Sequence, residues 1–194
     1  GSTQEPEEKL AVETFRQLQP AHPHLRLILA PRHPARGEEL AAWLDQSSLP
    51  WQLRSRLEAE GSNRQARVLL VDTVGELGAW WGTACIAYVG GSMGPRGGQN
   101  MIEPAAYGAA VSFGPNTRNF RDVVALLLKQ DAAVVVRDGT ELTAFVQRCL
   151  HDPEWAGEMG RRAQQLVAHQ RGATDRTLKC LAGILRGEPK QAPS

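Results

Sequence analysis

The sequence predicts an α/β fold, a doubly wound, Rossmann-like parallel sheet with helices on both faces and further helices at the C-terminal end. Short apolar runs recur along the chain, and each is followed by a segment whose apolar residues repeat at helical spacing. Short apolar strands that alternate with helices are typical of parallel sheets buried on both faces. A content of 42% hydrophobic and 22% charged residues suits one globular domain.

A first helix is predicted directly after an acidic start. Glu5, Glu7 and Glu8 place negative charge where a helix N-terminus favours it, and apolar residues then recur at helical spacing from Leu10 to Leu18. The other predicted elements are strands at 25–29, 68–71, 86–89, 111–113 and 133–136, and helices at 38–44, 75–83, from about 100, at 119–129 and 141–150. Residues 61–67 are predicted to form a surface loop, and residues 153–185 one or two helices.

The two ends of the chain carry further expectations. We expect residues 1–186 to form one domain and residues 187–194 to form a polar tail. No strand signal precedes the first helix, although a doubly wound sheet would have a strand there. A cut just after such a strand explains the missing signal, and Gly1 and Ser2 are either native loop residues or a cloning remnant.

The charge balance excludes several classes of partner. Lysine and arginine total 22 against 21 acidic residues, which gives a formal net charge of +1. So small a charge provides no general field for nucleic acid or an anionic bilayer, so neither is an expected partner. The apolar runs are much shorter than the roughly 20 residues of a membrane span, and the start lacks a signal pattern. The chain is therefore predicted to be soluble and not membrane-spanning.

Cysteine and histidine usage indicates neither a disulfide framework nor a metal site. The cysteines are odd in number and irregularly spaced, so they are predicted to be reduced core thiols of a cytoplasmic protein, namely Cys85, Cys149 and Cys180. Metal-ligand spacing is also absent from His22, His24, His151 and His169. We predict no metal, no cofactor and no catalytic triad.

Ligands of a doubly wound sheet bind beyond the carboxyl ends of the strands, so the loops there are the candidate sites. The first loop, residues 31–36, contains two prolines that stiffen a turn carrying Arg32, His33 and Arg36. The planar guanidinium group suits a phosphate or a carboxylate. The alternative is a solvated turn in an arginine-rich protein.

The second loop, residues 72–77, follows the predicted strand at 68–71. Asp72 or Thr73 is expected to cap the next helix, as such residues usually do at a strand-to-helix turn. Gly75 adds a second interpretation, because a residue without a side chain lets a planar base or a ribose approach the backbone.

The third loop, residues 90–104, is the most specific signal. Five glycines within residues 90–98 separate a strand from a helix start, a combination of flexible backbone and free N–H groups that suits a phosphate. The loop matches neither a Walker motif nor the dinucleotide fingerprint. Glu103, in the first helical turn, either complements the helix dipole or accepts two hydrogen bonds from vicinal ribose hydroxyls. The alternative for the whole loop is simple flexibility.

Taken in this order, the loops resemble the C-terminal half of the 3-deoxy-D-manno-octulosonic acid (Kdo) transferases, which are two-domain glycosyltransferases of the GT-B type. The resemblance covers most of the chain. It is carried by Gly1-Ser2-Thr3 with Glu7-Glu8, residues 31–36, Asp72-Thr73 with Gly75-Glu76-Leu77, Gly90-Gly91-Ser92, Gly97-Gly98 and residues 100–104. The family usually carries histidine where this chain has Gln4 and Gln99, and glutamine keeps only the hydrogen-bonding part of that role.

The resemblance implies that this domain binds the donor CMP-Kdo. It implies CMP contacts at Pro31, Arg32, Gly75, Glu76, Leu77, Asn100, Met101, Ile102 and Glu103. It further implies contacts with Kdo or phosphate at Arg36, Ser92, Gly97 and Gly98.

The implied reaction transfers Kdo to a lipid A precursor in lipopolysaccharide biosynthesis, with inversion at the anomeric carbon. Arg32 and the helix start at Asn100 would stabilise the leaving phosphate, Glu103 would fix the ribose, and Arg36 would approach the Kdo carboxylate. The general base belongs to the N-terminal, acceptor-binding domain of such enzymes, so no catalytic residue is expected here and the domain alone is predicted to be inactive. The full enzyme would act at the cytoplasmic face of the bacterial inner membrane.

Two other functions stay open at the level of sequence. The first is the donor domain of another GT-B transferase that uses a UDP-sugar, because a glycine loop and a ribose-binding glutamate are common to that architecture. The second is a non-catalytic nucleotide-binding module.

Overall fold

Strands and helices alternate along the chain in the computed structural model, which describes the backbone of residues 1–185 and the side chains of residues 1–170. The strands are β1 (Leu27–Leu29), β2 (Trp51–Leu53), β3 (Val68–Leu70), β4 (Ile86–Val89), β5 (Ala110–Phe113) and β6 (Ala133–Val135). The helices are α1 (Glu7–Leu18), α2 (Gly37–Asp45), α3 (Leu57–Glu60), α4 (Leu77–Trp81), α5 (Ile102–Ala106), α6 (Arg121–Lys129), α7 (Gly139–His151) and α8 (Pro153–Leu185). Short 3₁₀ turns cover Pro34–Arg36, Arg54–Arg56 and Arg118–Phe120.

All strand pairs are parallel, in two groups with the orders β1-β3-β2 and β4-β5-β6. Residues 1–3, here called the linking segment, join the two groups. Thr3 forms a parallel bridge to Pro31, next to β1. On the other side, the Gly90 N–H donates to the Gly1 carbonyl at 2.9 Å, and the Gly1 amino group donates to the Tyr88 carbonyl at 2.8 Å. The linking segment therefore occupies the centre of a sheet with the order β2-β3-β1-(1–3)-β4-β5-β6.

A groove of about 600 Å³ lies between β1 and β4, beside the linking segment. Apolar residues of both strands line it, together with Trp80 and Trp81. Within the described residues, β1 and β4 pair with β3 and β5 but not with each other. The centre of the sheet is thus bridged at its carboxyl end and open along the rest of these two strands.

Helices pack on both faces of the sheet, and the buried side chains form three clusters. Residues of α1 and α2 pack with those of β1 and β3 around Phe15 and Leu44. Phe113 and Leu127 belong to a second cluster, which includes residues of β4, β5, α6 and α8. The third cluster places Leu142 and Phe145 of α7 against residues of β5 and α8. Burial on both faces explains why the strands of this sheet are short apolar runs.

The predicted fold class is confirmed, and the differences in individual elements have local causes. β2 and α3 were not predicted, because Trp51–Leu53 is short and has a polar residue at its centre. Helix α4 is shorter than the predicted 75–83, since Gly75 adopts φ +88° before the helix starts. Residues 153–185 form one helix.

Three remaining expectations concern cysteines, the tail and membrane segments. Cys149 is buried as predicted, whereas Cys85 is exposed, so the prediction of a core thiol is wrong there. Cys180 and the predicted polar tail, 187–194, lie outside the residues whose side chains are described. Among the described helices, none has the length and hydrophobicity needed to cross a membrane.

Candidate functional site

The three loops singled out in the sequence lie side by side at one edge of the sheet. Parallel strands end at the same edge, so the loops after β3, β1, the linking segment and β4 are neighbours in that order. The first two loops touch directly, because a Cβ built on Gly37 would lie 3.3 Å from the Asp72 Cβ. Helix α4, which follows the loop after β3, also packs against α5, which follows the loop after β4. The structure thus assembles one continuous candidate site.

The loop after β1 exposes the guanidinium group of Arg32. The Arg32 side chain is exposed and, among the side chains described, makes no ion pair or hydrogen bond. Its backbone N–H donates to the Thr3 carbonyl at 2.9 Å, which fixes the turn. Pro31 is buried beside the linking segment, so its ring does not face solvent.

Arg36, expected to meet the Kdo carboxylate, is surrounded by carboxylates of this chain. Its guanidinium lies 3.4 Å from Glu39 and 4.0 Å from both Glu5 and Glu8. Among the described residues, neither carboxylate oxygen of Glu8 has a hydrogen-bond partner, and the buried Arg36 Nε has none either. Burial raises the pKa of Glu8. The positive charge of Arg36 is therefore largely balanced within the protein.

The loop after β3 is held by the 3₁₀ turn at Arg54–Arg56, which the sequence did not predict. Asp72 accepts hydrogen bonds from the Ser55 N–H at 2.9 Å and from its hydroxyl at 2.6 Å. The expectation that Asp72 or Thr73 caps α4 is therefore wrong, since Asp72 is bonded across the sheet edge and α4 has no side-chain cap. Glu76 accepts a bidentate contact from Arg54 at 2.8 and 2.9 Å.

The Glu76 carboxylate is thus engaged within the loop. The Thr73 hydroxyl also donates to it at 3.0 Å. Partial burial opposes ionisation of Glu76, but the hydrogen bonds from Thr73 and Arg54 outweigh it and hold its pKa below the ordinary value.

The backbone at Gly75 is open. A Cβ built on Gly75 would meet no atom within 4 Å, and Val74 beside it is 82% exposed. Leu77, by contrast, packs near Gly1. The backbone at Gly75 is accessible to a planar group.

The first half of the loop after β4 forms a backbone cradle, and a side chain of this chain fills it. The N–H groups of Gly91, Ser92 and Met93 all donate to the Glu7 carboxylate, at 2.7, 2.9 and 3.0 Å. The Tyr88 hydroxyl and the Gln4 N–H add contacts of 2.8 and 2.9 Å. These donors are not available to a phosphate in this structure.

The side chains of Ser92 and Met101 are buried and are engaged within the protein. The buried Ser92 hydroxyl donates to the Val89 carbonyl at 2.6 Å and accepts from the Gly114 N–H at 2.8 Å. Met101 is fully buried in the core, where a Cβ on Gly98 would approach its Cε to 2.9 Å. Both side chains thus have structural roles, and contacts of these two residues with the expected ligand stay a prediction.

The second half of the loop turns at two glycines. Gly97 and Gly98 have φ of +97° and +84°, a conformation that glycine tolerates best. The Gly97 carbonyl accepts the Asn119 N–H at 3.0 Å, and the Asn119 side chain donates to the Arg96 carbonyl at 3.0 Å. The loop after β5 therefore belongs to the same site edge, although sequence reasoning did not single it out.

The start of α5 is organised by a pair of polar side chains. The Asn100 Oδ1 accepts the Ile102 N–H at 3.0 Å, and its Nδ2 donates to one Glu103 oxygen at 2.9 Å. This turn explains why the helix begins at Ile102 and not at Asn100. The second oxygen of the half-buried Glu103 carries no hydrogen bond from a described side chain. Ile102 is 38% exposed and also reaches the surface.

The chain is similar over almost its whole length to proteins named 3-deoxy-D-manno-octulosonic acid transferase. It is 36% identical to the one from Bordetella pertussis over 93% of this chain and 42% of that protein. The corresponding protein from Haemophilus influenzae is 32% identical over 95% of this chain and 43% of its own length. The chain therefore spans about two fifths of the length of these relatives. No protein-family model matches it.

The fold is also similar to that of one solved domain. The crystal structure of the C-terminal CMP-Kdo binding domain of WaaA from Acinetobacter baumannii superposes with a TM-score of 0.79 and 28% sequence identity. The match covers 86% of each chain. The likeness therefore extends over most of that solved domain.

Proposed function

We propose that this chain, a homologue of the Kdo transferases, is the CMP-Kdo-binding domain of an enzyme that transfers Kdo to a lipid A precursor. Residues 1–186 would form the donor domain of this GT-B enzyme. The observation that carries the proposal is the likeness to a CMP-Kdo binding domain over 86% of both chains. The adjacent loops with Arg32, Gly75 and Glu103 give that likeness a chemical basis.

In the proposed complex, the open backbone at Gly75 and the side chains of Leu77 and Ile102 receive the nucleoside. Glu103 accepts hydrogen bonds from the ribose hydroxyls through its free oxygen, while Asn100 fixes the orientation of its carboxylate. Glu76 acts through the loop, because Arg54 and Thr73 already engage its carboxylate. Arg32 supplies an uncommitted guanidinium for the CMP phosphate.

The reaction would break the bond between the anomeric carbon of Kdo and the phosphate oxygen of CMP. An acceptor hydroxyl would attack from the opposite face, which inverts the anomeric carbon, and its proton would pass to a base on the acceptor domain. Negative charge grows on the departing CMP, and Arg32 would stabilise it. The full enzyme would meet its lipid acceptor at the cytoplasmic face of the inner membrane.

A nucleotide titration tests the proposal. We expect CMP to bind in preference to UMP and to perturb the backbone amides of Arg32, residues 75–77 and residues 100–103. Glu103→Gln should weaken CMP binding by about 1.5 to 3 kcal/mol, because a charge-assisted hydrogen bond is lost. Glu154→Gln is the matched control, since Glu154 lies exposed in the first turn of α8.

The outcome separates the competing functions. An equal or stronger response to UMP would favour a UDP-sugar transferase. Shifts confined to other parts of the chain would remove the proposed site. A CMP-binding domain that supports no transfer when combined with its acceptor domain would indicate a non-catalytic module.

A further inference from the structure

Several backbone donors of the glycine loop after β4 are already bonded within the protein. The N–H groups of residues 91–93 are bonded to Glu7. The Ile102 N–H at the start of α5 is bonded to Asn100. The Gly98 N–H also donates within the loop, to the Gly91 carbonyl at 2.7 Å. These backbone donors are thus used within the protein, and a positively charged side chain would compensate for them in binding an anion.

Arg118, in the loop after β5, is positioned to supply that charge. A Cβ built on Gly97 would lie 2.6 Å from the Arg118 Cγ and 3.0 Å from its Nε, so the side chain lies directly across the Gly97 backbone. Only a residue without a side chain leaves this space to Arg118. The hydrogen bond from the Asn119 N–H to the Gly97 carbonyl fixes the two loops together. Arg118 is therefore aligned along the loop rather than pointing freely into solvent.

The guanidinium of Arg118 is uncommitted. The residue is exposed, and among the described side chains it makes no ion pair or hydrogen bond. The same holds for Arg96, whose Cδ would lie 3.5 Å from a Cβ on Gly91. By contrast, Arg36 and Arg54 are balanced by carboxylates of the protein. Two free guanidinium groups thus flank the two halves of the glycine loop.

We propose that Arg118 binds an oxyanion of the nucleotide-sugar donor at the Gly97–Gly98 turn. The inference rests on the proposed function and adds a binding residue to it. The planar guanidinium can donate two parallel hydrogen bonds to a phosphate or to a carboxylate. CMP-Kdo carries both groups, and the experiment distinguishes them.

The test compares Arg118→Gln and Arg118→Lys with Arg121→Gln. Arg121 is an exposed arginine at the start of α6 without a partner among the described side chains, which makes it the matched control. Affinities for cytidine, for CMP and for free Kdo added to the CMP-saturated protein are measured by isothermal titration calorimetry or amide shifts. Because Arg118 is exposed, the variants are expected to fold, and the amide spectrum checks this.

Loss of at least about 10-fold in CMP affinity by Arg118→Gln, with cytidine binding unchanged, assigns Arg118 to the phosphate. Unchanged CMP binding with a similar loss for Kdo assigns it to the carboxylate. Arg118→Lys should recover only part of either loss, since lysine lacks the planar fork. Affinities equal to those of Arg121→Gln for all three ligands overturn the inference. If the unmodified protein binds neither CMP nor cytidine, it is the proposed function that is overturned. Binding of inorganic phosphate, followed through the amide shifts of residues 96–98, then tests Arg118 separately.

Discussion

The carboxylate of Glu7 accepts a hydrogen bond from the backbone N–H of Gly91 at 2.7 Å, across 84 positions of sequence. Glu7 begins α1, which residues 4–6 connect to the linking segment, and Gly91 is the second residue of the glycine loop after β4. The contact is buried, and the same carboxylate accepts hydrogen bonds from Ser92 and Met93. A side chain of α1 therefore determines the shape of a loop that belongs to the proposed nucleotide site.

Glu7→Gln should destabilise the fold by about 2 to 4 kcal/mol. Both carboxylate oxygens of Glu7 accept hydrogen bonds, whereas a glutamine turns an amide N–H₂ toward some of these donors and leaves them unsatisfied in a buried site. The measurement is the free energy of unfolding in denaturant. Glu13→Gln, on an exposed position of the same helix, should change it by less than about 0.5 kcal/mol. Equal stabilities of the two variants would contradict the assigned role of Glu7.

Arg54→Gln should weaken CMP binding by about 3-fold to 10-fold while costing little stability. The Arg54 contact with Glu76 orders the loop before α4, and ordering a side chain in advance contributes about 0.5 to 1.5 kcal/mol to binding. An ion pair this close to the surface contributes little to the free energy of folding. Arg56→Gln is the control, because its carboxylate partner, Glu60, lies 3.9 Å away and outside the site. Titration with CMP and denaturant unfolding separate the two effects, and parallel losses in both would indicate a purely structural pair.

The sequence was sufficient for the parts of the fold that depend on local pattern. Buried strands such as Ile86–Val89 are apolar runs, and the rule that parallel strands share one carboxyl edge placed three loops together. The sequence was insufficient where a contact joins residues that lie far apart in the chain. Nothing near Gly91 indicates that Glu7 fills its cradle, and nothing near Glu76 indicates Arg54, because both partners are brought together only by the sheet order.

The linking segment illustrates a second limit of structure prediction from sequence. The chain begins without a strand signal, yet Gly1 and Thr3 bond to the strands on either side. Such a short segment has no periodicity to detect, and its position follows only from the strand edges that it meets. The role of Arg118 likewise depends on the missing side chain of Gly97, which is a relation between two loops and not a motif.

The stability of a polypeptide that begins at Gly1 should rise with pH between about 5 and 8. Burial lowers the pKa of the Gly1 amino group from 8.0 to about 5, although Glu7 and Glu8 oppose the shift. Between these values the unfolded chain binds a proton that the folded chain lacks, so the free energy of unfolding increases with pH, by up to about 4 kcal/mol. Denaturant unfolding at several pH values measures this slope.

N-terminal acetylation is the control for this effect. An acetylated Gly1 keeps an N–H that can donate to the Tyr88 carbonyl but no longer titrates. The acetylated protein should therefore lose this part of the pH dependence. A slope that persists unchanged after acetylation would assign it to other groups.

Two glycines of α8 should respond in opposite ways to replacement by alanine. A Cβ on Gly160 would lie 1.9 Å from the carbonyl oxygen of Gly108, a backbone atom that cannot rotate away, whereas a Cβ on Gly157 would meet only the flexible end of Arg161 at 3.5 Å. Gly160→Ala should therefore destabilise the fold by about 3 kcal/mol, since the helix must move away from the segment between α5 and β5. Gly157→Ala should stabilise it by about 0.5 to 1 kcal/mol, because alanine favours the helix without a steric cost. Both values are read from denaturant unfolding, and Gly157→Ala controls for helix propensity. If both alanines stabilised the protein equally, the close approach of α8 to Gly108 would be refuted.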